Sequence, residues 1–290
     1  MRLFTFGCSL TQFFYPTWAD LLIAHYHDRA DVAENWGKSG AGNQYIFTRI
    51  WEADSIYNFN EDDIVVVQWT AMYRDDRWIE KNGWHCAGNL YHGQLSDKPM
   101  QLNNYNYSSQ WQWADSVHCV MRDCAMIASI KTMLEQRGCK TVYFSFNDFY
   151  NKKSSKDAEL DTNKPLNDSC INGILNQYRN YIKTDAVPIM EWNGLTDEHF
   201  EAYSKTRPMT VANPGDTIDE IRPELHPLPF EYATYLEEHI LPLLGETQLN
   251  STAIELAELF QTRIEQVSPT VLALLGWTDM NTDKIGWSDD

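Results

Sequence analysis

The sequence predicts an α/β protein that has a parallel sheet with helices on both faces. Strand-like and helix-like segments alternate along the chain, which favours strand–helix–strand units. Residues 64–67 are four consecutive β-branched apolar residues, a pattern typical of a strand buried on both faces. Because 43% of the 290 residues are hydrophobic, the chain can also bury a sizeable core.

The individual elements follow from the period of the apolar residues. Short apolar or β-branched runs predict five strands, at residues 3–7, 32–36, 64–70, 141–146 and 187–191. Apolar residues at helical spacing predict six helices, at residues 16–27, 44–51, 117–136, 171–183, 230–244 and 251–267. Gly138 ends the third of these helices, and Ser251, preceded by Asn250, is the cap candidate for the last one.

Two stretches fall outside this alternation. Residues 73–113 are rich in aromatic and polar side chains, including Trp78 and Trp84, and show no clear period. Their length predicts an insertion or lid. It would serve as an aromatic platform for a sugar or another flat polar ligand, or as a small satellite core or protein contact surface. Residues 246–290 are predicted to form a helix and an acidic tail beyond a main domain of residues 1–245.

Composition narrows the classes of function. Lys and Arg number 23 and Asp and Glu 41, and the resulting net charge of −18 disfavours nucleic acid as a partner. The sequence shows neither a secretory signal nor a long apolar run, so we expect a cytoplasmic protein that does not span a membrane. The six cysteines form no CxxC pair and are expected to be reduced thiols. No metal-ligand spacing or phosphate-binding glycine motif is present, so we predict no metal and no cofactor.

Polar residues stand where predicted strands end. Ser9 follows the first strand at a strand-to-helix turn, residues 37–43 form a glycine-rich loop after the second, and Thr70 ends the third. Open α/β sheets bind ligands at this edge. His226, before a late helix, could supply the base that a serine nucleophile needs. Each residue also has a purely structural interpretation: Ser9 as a helix cap, Thr70 as a strand-end cap and His226 as an ordinary helix start.

Four short motifs occur in the order found in a known family. Residues 7–11 (Gly-Cys-Ser-Leu-Thr) are similar to the family's Gly-Asp-Ser-Leu-Thr, and residues 35–40 (Asn-Trp-Gly-Lys-Ser-Gly) to its Asn-x-Gly-x-x-Gly. Residues 68–71 (Gln-Trp-Thr-Ala) stand where the family has Gly-x-Asn-Asp, and residues 223–227 (Pro-Glu-Leu-His-Pro) are similar to Asp-x-x-His-Pro. Over about residues 1–245 the chain therefore resembles the SGNH (GDSL-type) hydrolases.

The resemblance implies a flavodoxin-like three-layer α/β/α fold and a serine esterase or acetylhydrolase activity. Ser9 would be the nucleophile and His226 the general base and then acid, with Glu224 as the carboxylate nearest to the histidine in sequence. The oxyanion would be held by three residues, Gly40, Thr70 and Asn43. Three tryptophans are predicted to contact the substrate: Trp69, Trp78 and Trp84.

The motifs also depart from the family pattern. Cys8 replaces an aspartate that is not a member of the family's triad. Thr70 stands in place of the oxyanion-hole asparagine and offers a shorter donor, and loss of such a donor costs about 3–4 kcal/mol of transition-state stabilisation. Pro223 occupies the position of the triad aspartate, so the histidine would depend on Glu224 or on an aspartate farther upstream, Asp219 or Asp216.

Two functions are consistent with this pattern. The first is an esterase that acts on a small or carbohydrate O-acyl ester. The second is a structural or adaptor protein in which catalysis is weakened or lost. The third motif resembles that of bacteriophage-encoded members of the family, which favours a virion component for this second function. Its apolar and acidic residues 246–290 would then bind a protein partner or a second copy of the chain.

Overall fold

The computed structural model describes residues 1–72, 74–79, 83–89, 116–149, 169–194, 205, 207, 209–211, 221–223 and 226–266. The strands, numbered along the chain, are β1 Arg2–Phe6, β2 Val32–Asn35, β3 Asp63–Trp69, β4 Arg74–Ile79, β5 Gly83–Asn89, β6 Lys140–Ser145, β7 Met209–Val211 and β8 Ile221–Pro223. The helices are α1 Trp18–Tyr26, α2 Asn43–Tyr57, α3 Ser116–Arg137, α4 Ser169–Gln177, α5 Arg179–Ile182, α6 Ile189–Trp192, α7 Pro229–Tyr235, α8 Leu241–Leu244 and α9 Ser251–Gln266, with a π-helix at Leu236–Ile240 between α7 and α8.

The predicted α/β class is confirmed by a four-stranded parallel sheet. Its strand order is β2-β1-β3-β6, and each of the three pairings is parallel. Every residue of β3 is buried, as its run of β-branched residues indicated. Because β2 and β3 flank β1 on opposite sides, right-handed crossovers place α1 and α2 on opposite faces of the sheet. The architecture is therefore three-layered, α/β/α.

The prediction of a fifth sheet strand at residues 187–191 is wrong. This segment forms the short helix α6, with Pro188 as its N-cap residue. The chain approaches the sheet edge just before it, since the backbone N–H of Asp185 bonds to the carbonyl of Tyr143 at 2.7 Å. Pro188 has no N–H to continue such a ladder, and its fixed φ suits the start of a helix.

Two helix predictions change in detail. The helix expected at residues 171–183 is broken at Tyr178 into α4 and α5. The helix expected at 230–244 is a continuous element, but its middle turn, Leu236–Ile240, is a π-helix. The spacing of the apolar residues predicted the positions of both helices, because this spacing reflects which side chains are buried. Local backbone breaks leave the apolar period almost unchanged and therefore escaped prediction.

The insertion at residues 73–113 contains regular structure where the sequence showed no clear period. Strands β4 and β5 pair as an antiparallel hairpin, with a register irregularity between Arg74 and Asp76. The sequence of β4, Arg-Asp-Asp-Arg-Trp-Ile, alternates poorly because its charged residues bind other parts of the chain. Residues 90–115 lie outside the described residues.

The last described helix, α9, packs against α1 and α7 of the main domain. Its apolar residues Ala253, Ala257 and Phe260 belong to the same buried core as the sheet. The side chain of Asn250 caps the helix by accepting a hydrogen bond from Ala253 N at 3.0 Å, so Asn250 is the N-cap and the expectation for Ser251 is corrected. No helix among the described residues is long and apolar enough to cross a bilayer.

Candidate active site

Ser9 lies on a tight turn immediately after β1, at the carboxyl edge of the sheet. The carbonyl of Cys8 accepts hydrogen bonds from Thr11 N at 2.8 Å and Gln12 N at 3.0 Å, which closes the turn around Ser9. The cap of α1 is Thr17, whose side chain accepts from Ala19 N. The interpretation of Ser9 as a helix cap is therefore wrong, and its partly exposed hydroxyl has no capping role.

Gln68, which the sequence placed in the third motif without a predicted role, supports this turn. Its buried side chain extends from β3, and its Oε1 accepts from Cys8 N at 3.2 Å and from Thr11 Oγ1 at 3.2 Å. Its Nε2 donates to the carbonyl of Trp69 at 2.7 Å. Gly7 is required here because a Cβ at this position would lie 1.9 Å from Thr11 Oγ1. A buried glutamine at the end of a central strand was the available sequence signal.

His226 reaches the turn from the far end of the chain. Its Nε2 lies 2.9 Å from Ser9 Oγ, although 217 residues separate the two positions. The imidazole stacks on the ring of Phe13, with centroids 3.8 Å apart. The carbonyl of His226 accepts from Tyr15 Oη at 3.4 Å and from Arg207 Nη2 at 2.5 Å. The geometry is that of a serine hydroxyl within proton-transfer reach of a histidine.

Three carboxylates were predicted as candidates to orient His226. Glu224, Asp216 and Asp219 lie outside the described residues. Glu231 is described: it forms an ion pair with the Arg207 guanidinium at 2.6 Å and accepts a hydrogen bond from Leu228 N at 2.6 Å.

Asn35 joins the turn at Ser9 to the glycine-rich loop. Its Nδ2 donates to the carbonyl of Thr11 at 2.7 Å, and its Oδ1 accepts from Gly37 N at 2.9 Å. A second link runs from Lys38 N to the carbonyl of Gly7 at 3.1 Å. These bonds explain why an asparagine begins the second motif: its amide offers a donor and an acceptor on one short side chain.

Two backbone N–H groups remain available near this junction. Within the described part of the chain, neither Ser9 N nor Gly40 N donates a hydrogen bond to a protein atom. Gly40 has a φ of 79°, a left-handed conformation that favours glycine. Two unoccupied donors on adjoining loops are suited to hold a developing oxyanion.

Asn43 does not have the side chain free for the oxyanion role predicted for it. Its Oδ1 accepts from Thr70 N at 2.9 Å, and its Nδ2 donates to Thr70 O at 3.0 Å and to Asp123 at 2.8 Å. The residue is fully buried and ties the start of α2 to the end of β3. The prediction for Asn43 is therefore corrected.

Thr70 is also fully buried, and its backbone is engaged by Asn43. Its Oγ1, in contrast, has no hydrogen-bond partner among the described residues. Buried hydroxyls usually form a hydrogen bond, so the Thr70 hydroxyl is available to donate one to a bound ligand. Its role in an oxyanion hole stays a prediction.

The β4–β5 hairpin covers the glycine-rich loop. Asp76 accepts from Gly42 N at 2.8 Å and Tyr45 N at 2.8 Å, and Arg74 Nη1 donates to Ala41 O at 2.7 Å. Burial raises the pKa of the Asp76 carboxyl, while the hydrogen bonds from the Tyr45 and Gly42 backbone oppose this rise. Asp76, a second residue that sequence reasoning missed, thus holds the loop that carries Gly40.

The three tryptophans predicted to bind substrate have different environments. Trp69 is only 1% exposed and lies in the core, because it is the last residue of the fully buried β3; its prediction is corrected. Trp84 packs edge-on against Tyr45, with centroids 5.5 Å apart, and so supports the satellite-core interpretation. Trp78 is 40% exposed and remains a candidate for ligand contact. No cluster of metal-ligating side chains occurs within the described ranges.

Comparisons with known proteins give only distant similarities. No protein-family model matches the chain, and no curated protein matches it. The solved structure of LAE5, an alpha/beta hydrolase enzyme from the metagenome of Lake Arreo, is similar at 13% identity and a TM-score of 0.39, over 84% of this chain and 94% of that one. A member of the lipolytic G-D-S-L family from Veillonella parvula has 12% identity and a TM-score of 0.33, over 80% and 92% of the two chains. The protein YxiM from Bacillus subtilis has 11% identity and a TM-score of 0.33, over 92% and 57%.

At these values the similarities carry no argument about activity. The chain itself brings a serine and a histidine into contact at the carboxyl edge of a three-layer α/β/α sheet, beside two available backbone donors.

Proposed function

We propose that the protein is a serine ester hydrolase. The observation that carries the proposal is the 2.9 Å contact between His226 Nε2 and Ser9 Oγ. A hydroxyl is a weak nucleophile, and an adjacent neutral imidazole activates it by accepting its proton as the new bond forms. The position of Ser9 at the carboxyl end of a central parallel strand supports the same proposal, since ligands bind at this edge.

The reaction follows from these groups. Ser9 Oγ attacks the ester carbonyl while His226 takes the hydroxyl proton, and the carbonyl oxygen becomes an oxyanion. The N–H groups of Ser9 and Gly40 donate to that oxyanion. The tetrahedral intermediate collapses as His226 protonates the leaving alcohol. Water, deprotonated by His226, then attacks the acyl-serine, and the acid is released with Ser9 restored.

Hydrolysis of p-nitrophenyl acetate tests the activity. Ser9→Ala and His226→Gln should each lower kcat at least about a thousandfold, because the nucleophile and its base act as one unit. The matched controls are Ser129→Ala and His27→Gln, which alter exposed residues of the same types. Controls that lose activity as strongly as the site variants would contradict the assignment, as would a wild type with no activity above background.

A covalent probe tests the nucleophile separately. Ser9 Oγ should attack the phosphorus of a fluorophosphonate, with fluoride leaving and the proton passing to His226. Mass spectrometry should then find the label on the peptide that contains Ser9. A label on any other serine, or none on wild-type protein, would remove Ser9 from the proposed role.

For the substrate we propose a small or carbohydrate O-acyl ester. Trp78 supports a sugar, because it is exposed on the hairpin that covers the glycine-rich loop, and indole rings stack on flat ligands. The net charge of −18 also favours a neutral substrate. Trp78→Ala should raise KM for an acetylated sugar severalfold and leave KM for p-nitrophenyl acetate unchanged. Equal KM changes for both esters would exclude a sugar-specific contact.

The second candidate is a catalytically weakened structural or adaptor protein, such as a virion component. One observation favours it: the amide of Asn43 is used for structural bonds, so it is lost as an oxyanion donor. Absence of both hydrolysis and fluorophosphonate labelling would select this candidate. Sedimentation of the full chain with and without residues 267–290 would then test whether that segment mediates self-association.

A further inference from the structure

The imidazole of His226 is held on its face by an aromatic ring. Phe13 stacks on it with centroids 3.8 Å apart and an interplanar angle of 28°. Phe13 lies four residues after Ser9, so one short segment supplies both the nucleophile and the surface on which its base rests. The edge of the same imidazole meets Ser9 Oγ through Nε2.

The carbonyl of His226 accepts two hydrogen bonds, which fix the backbone of this residue. Tyr15 Oη and Arg207 Nη2 both donate to the carbonyl of His226. Glu231 then anchors Arg207 through a 2.6 Å ion pair and accepts from Leu228 N. These bonds determine where the Cα of His226 lies. A ring packed on one face of the imidazole also restricts its rotation about the side-chain bonds.

Phe13 is itself held in place by neighbouring rings. Its centroid lies 4.5 Å from that of Phe14 and 5.0 Å from that of Tyr15, the second in an edge-on arrangement. Tyr15 is 2% exposed and belongs to the core, which anchors this aromatic segment to the domain. A surface that is itself immobilised can restrict the ring stacked on it.

We propose that Phe13 is a positioning residue for His226 in the reaction described above, and this inference rests on that proposed function. The stacked ring keeps the imidazole in the plane that directs Nε2 at Ser9 Oγ. It also faces the imidazolium that forms when Ser9 loses its proton, and an aromatic face attracts a cation. Both effects act on the chemical step, so they should change kcat and leave KM nearly unchanged.

Steady-state kinetics with p-nitrophenyl acetate test the effect on the reaction. Phe13→Leu should lower kcat about two- to tenfold, the range expected for an aromatic pair, with KM changed less than about twofold. Phe13→Tyr keeps the stack and should retain nearly all of the activity, whereas a general packing defect would not separate the two variants. Phe47→Leu, which alters a partly buried phenylalanine of α2, is the matched control and should remain near wild type. Should Phe13→Leu fail to fold, Phe13→Met carries the same comparison.

NMR of histidine-labelled protein tests the stack without reference to catalysis. His226→Gln identifies the His226 resonance, and the ring current of Phe13 should displace it upfield in wild type. Phe13→Leu should abolish this displacement and Phe47→Leu should retain it. An unchanged His226 resonance in Phe13→Leu, or equal kcat for Phe13→Leu and Phe13→Tyr, would overturn the proposal. A displaced resonance in a wild type that hydrolyses no ester and takes no fluorophosphonate label would instead overturn the proposed function.

Discussion

The carboxylate of Asp76 accepts the backbone N–H of Gly42, with Oδ1 at 2.8 Å and Oδ2 at 3.0 Å. Gly42 is the N-cap residue of α2 and has no side chain that could satisfy the first N–H groups of the helix. Asp76 supplies this cap from the β4–β5 hairpin and binds Tyr45 N as well. A negative charge at a helix N-terminus is also favourable electrostatically. The insertion therefore completes the loop on which Gly40 lies.

Removal of this carboxylate should destabilise the protein. Asp76→Ala leaves two buried N–H groups without an acceptor, and we expect the free energy of unfolding to fall by about 2–4 kcal/mol. Urea denaturation followed by circular dichroism measures the change. The control is Asp75→Ala at the adjacent position, where the ion pairs with Arg77 and Arg122 are partly exposed and the expected loss is below about 1 kcal/mol. Equal losses for the two variants would contradict the capping role.

Replacement of glycine by alanine should have opposite effects on stability at Gly40 and at Gly173. Gly40 has a φ of 79°, and a Cβ there would lie 2.7 Å from the carbonyl oxygen of Cys86. Gly40→Ala should therefore cost about 1–3 kcal/mol of stability and lower kcat for p-nitrophenyl acetate. Gly173 lies within α4, and nothing is within 4 Å of its Cβ position, so Gly173→Ala should stabilise the protein by about 0.5–1 kcal/mol. Thermal unfolding compares the two, and a stable, fully active Gly40→Ala protein would contradict the proposed loop geometry.

The sequence predicted the sheet well because the sheet depends on local patterns. The four sheet strands and their flanking helices follow from runs of buried residues, of which β3 is the clearest case. The segment at 187–191 failed because its apolar residues are equally suited to a strand or a short helix, and Pro188 decided between them. The π-helix at Leu236–Ile240 is a single turn within a longer helix, too short to alter the apolar pattern of the sequence.

The site was predictable only where a motif preserved its pattern. Ser9 and His226 were proposed from motif order, and they lie in contact. Two partners that hold the site received no role from the motifs: Gln68, in the altered third motif, and Asp76, in the insertion. Both act through tertiary hydrogen bonds to backbone groups, and such pairings depend on how the chain folds back on itself. Asn43 shows the converse, since its polar side chain suggested an oxyanion donor but serves the packing of α2 on β3.

Buried carboxyls should make stability fall as the pH rises towards neutrality. Burial raises the pKa of Asp123 to about 7, even though Arg122 and Asn43 lower it. Burial likewise raises the pKa of Asp20 to about 6. In the unfolded chain both groups return to about 3.8, so between about pH 4 and pH 7 the folded protein binds more protons than the unfolded one. The free energy of unfolding should decrease with pH in this window, by at most about 1.4 kcal/mol per pH unit for each group.

Urea denaturation at several pH values measures this slope. Asp123→Asn removes one of the titrating groups and should flatten the curve, chiefly at the upper end of the window near pH 7. Asp28→Asn alters an exposed carboxyl and should leave the slope as in wild type. A wild-type stability that rises between pH 4 and pH 7 would show that other groups dominate.

Asn250 and Ser251 distinguish two positions for the start of α9. Asn250 Oδ1 accepts from Ala253 N, and its Nδ2 donates to the carbonyl of His25 at 3.0 Å, so one side chain both caps α9 and joins it to α1. Asn250→Ala should therefore lower the free energy of unfolding by about 1–2 kcal/mol. Ser251 is exposed in the first turn, where alanine is an equally good helix former, and Ser251→Ala should change stability by less than about 0.5 kcal/mol. Chemical denaturation measures the free energy of unfolding of both variants. A larger decrease for Ser251→Ala than for Asn250→Ala would show that Ser251 is the N-cap, as the sequence predicted.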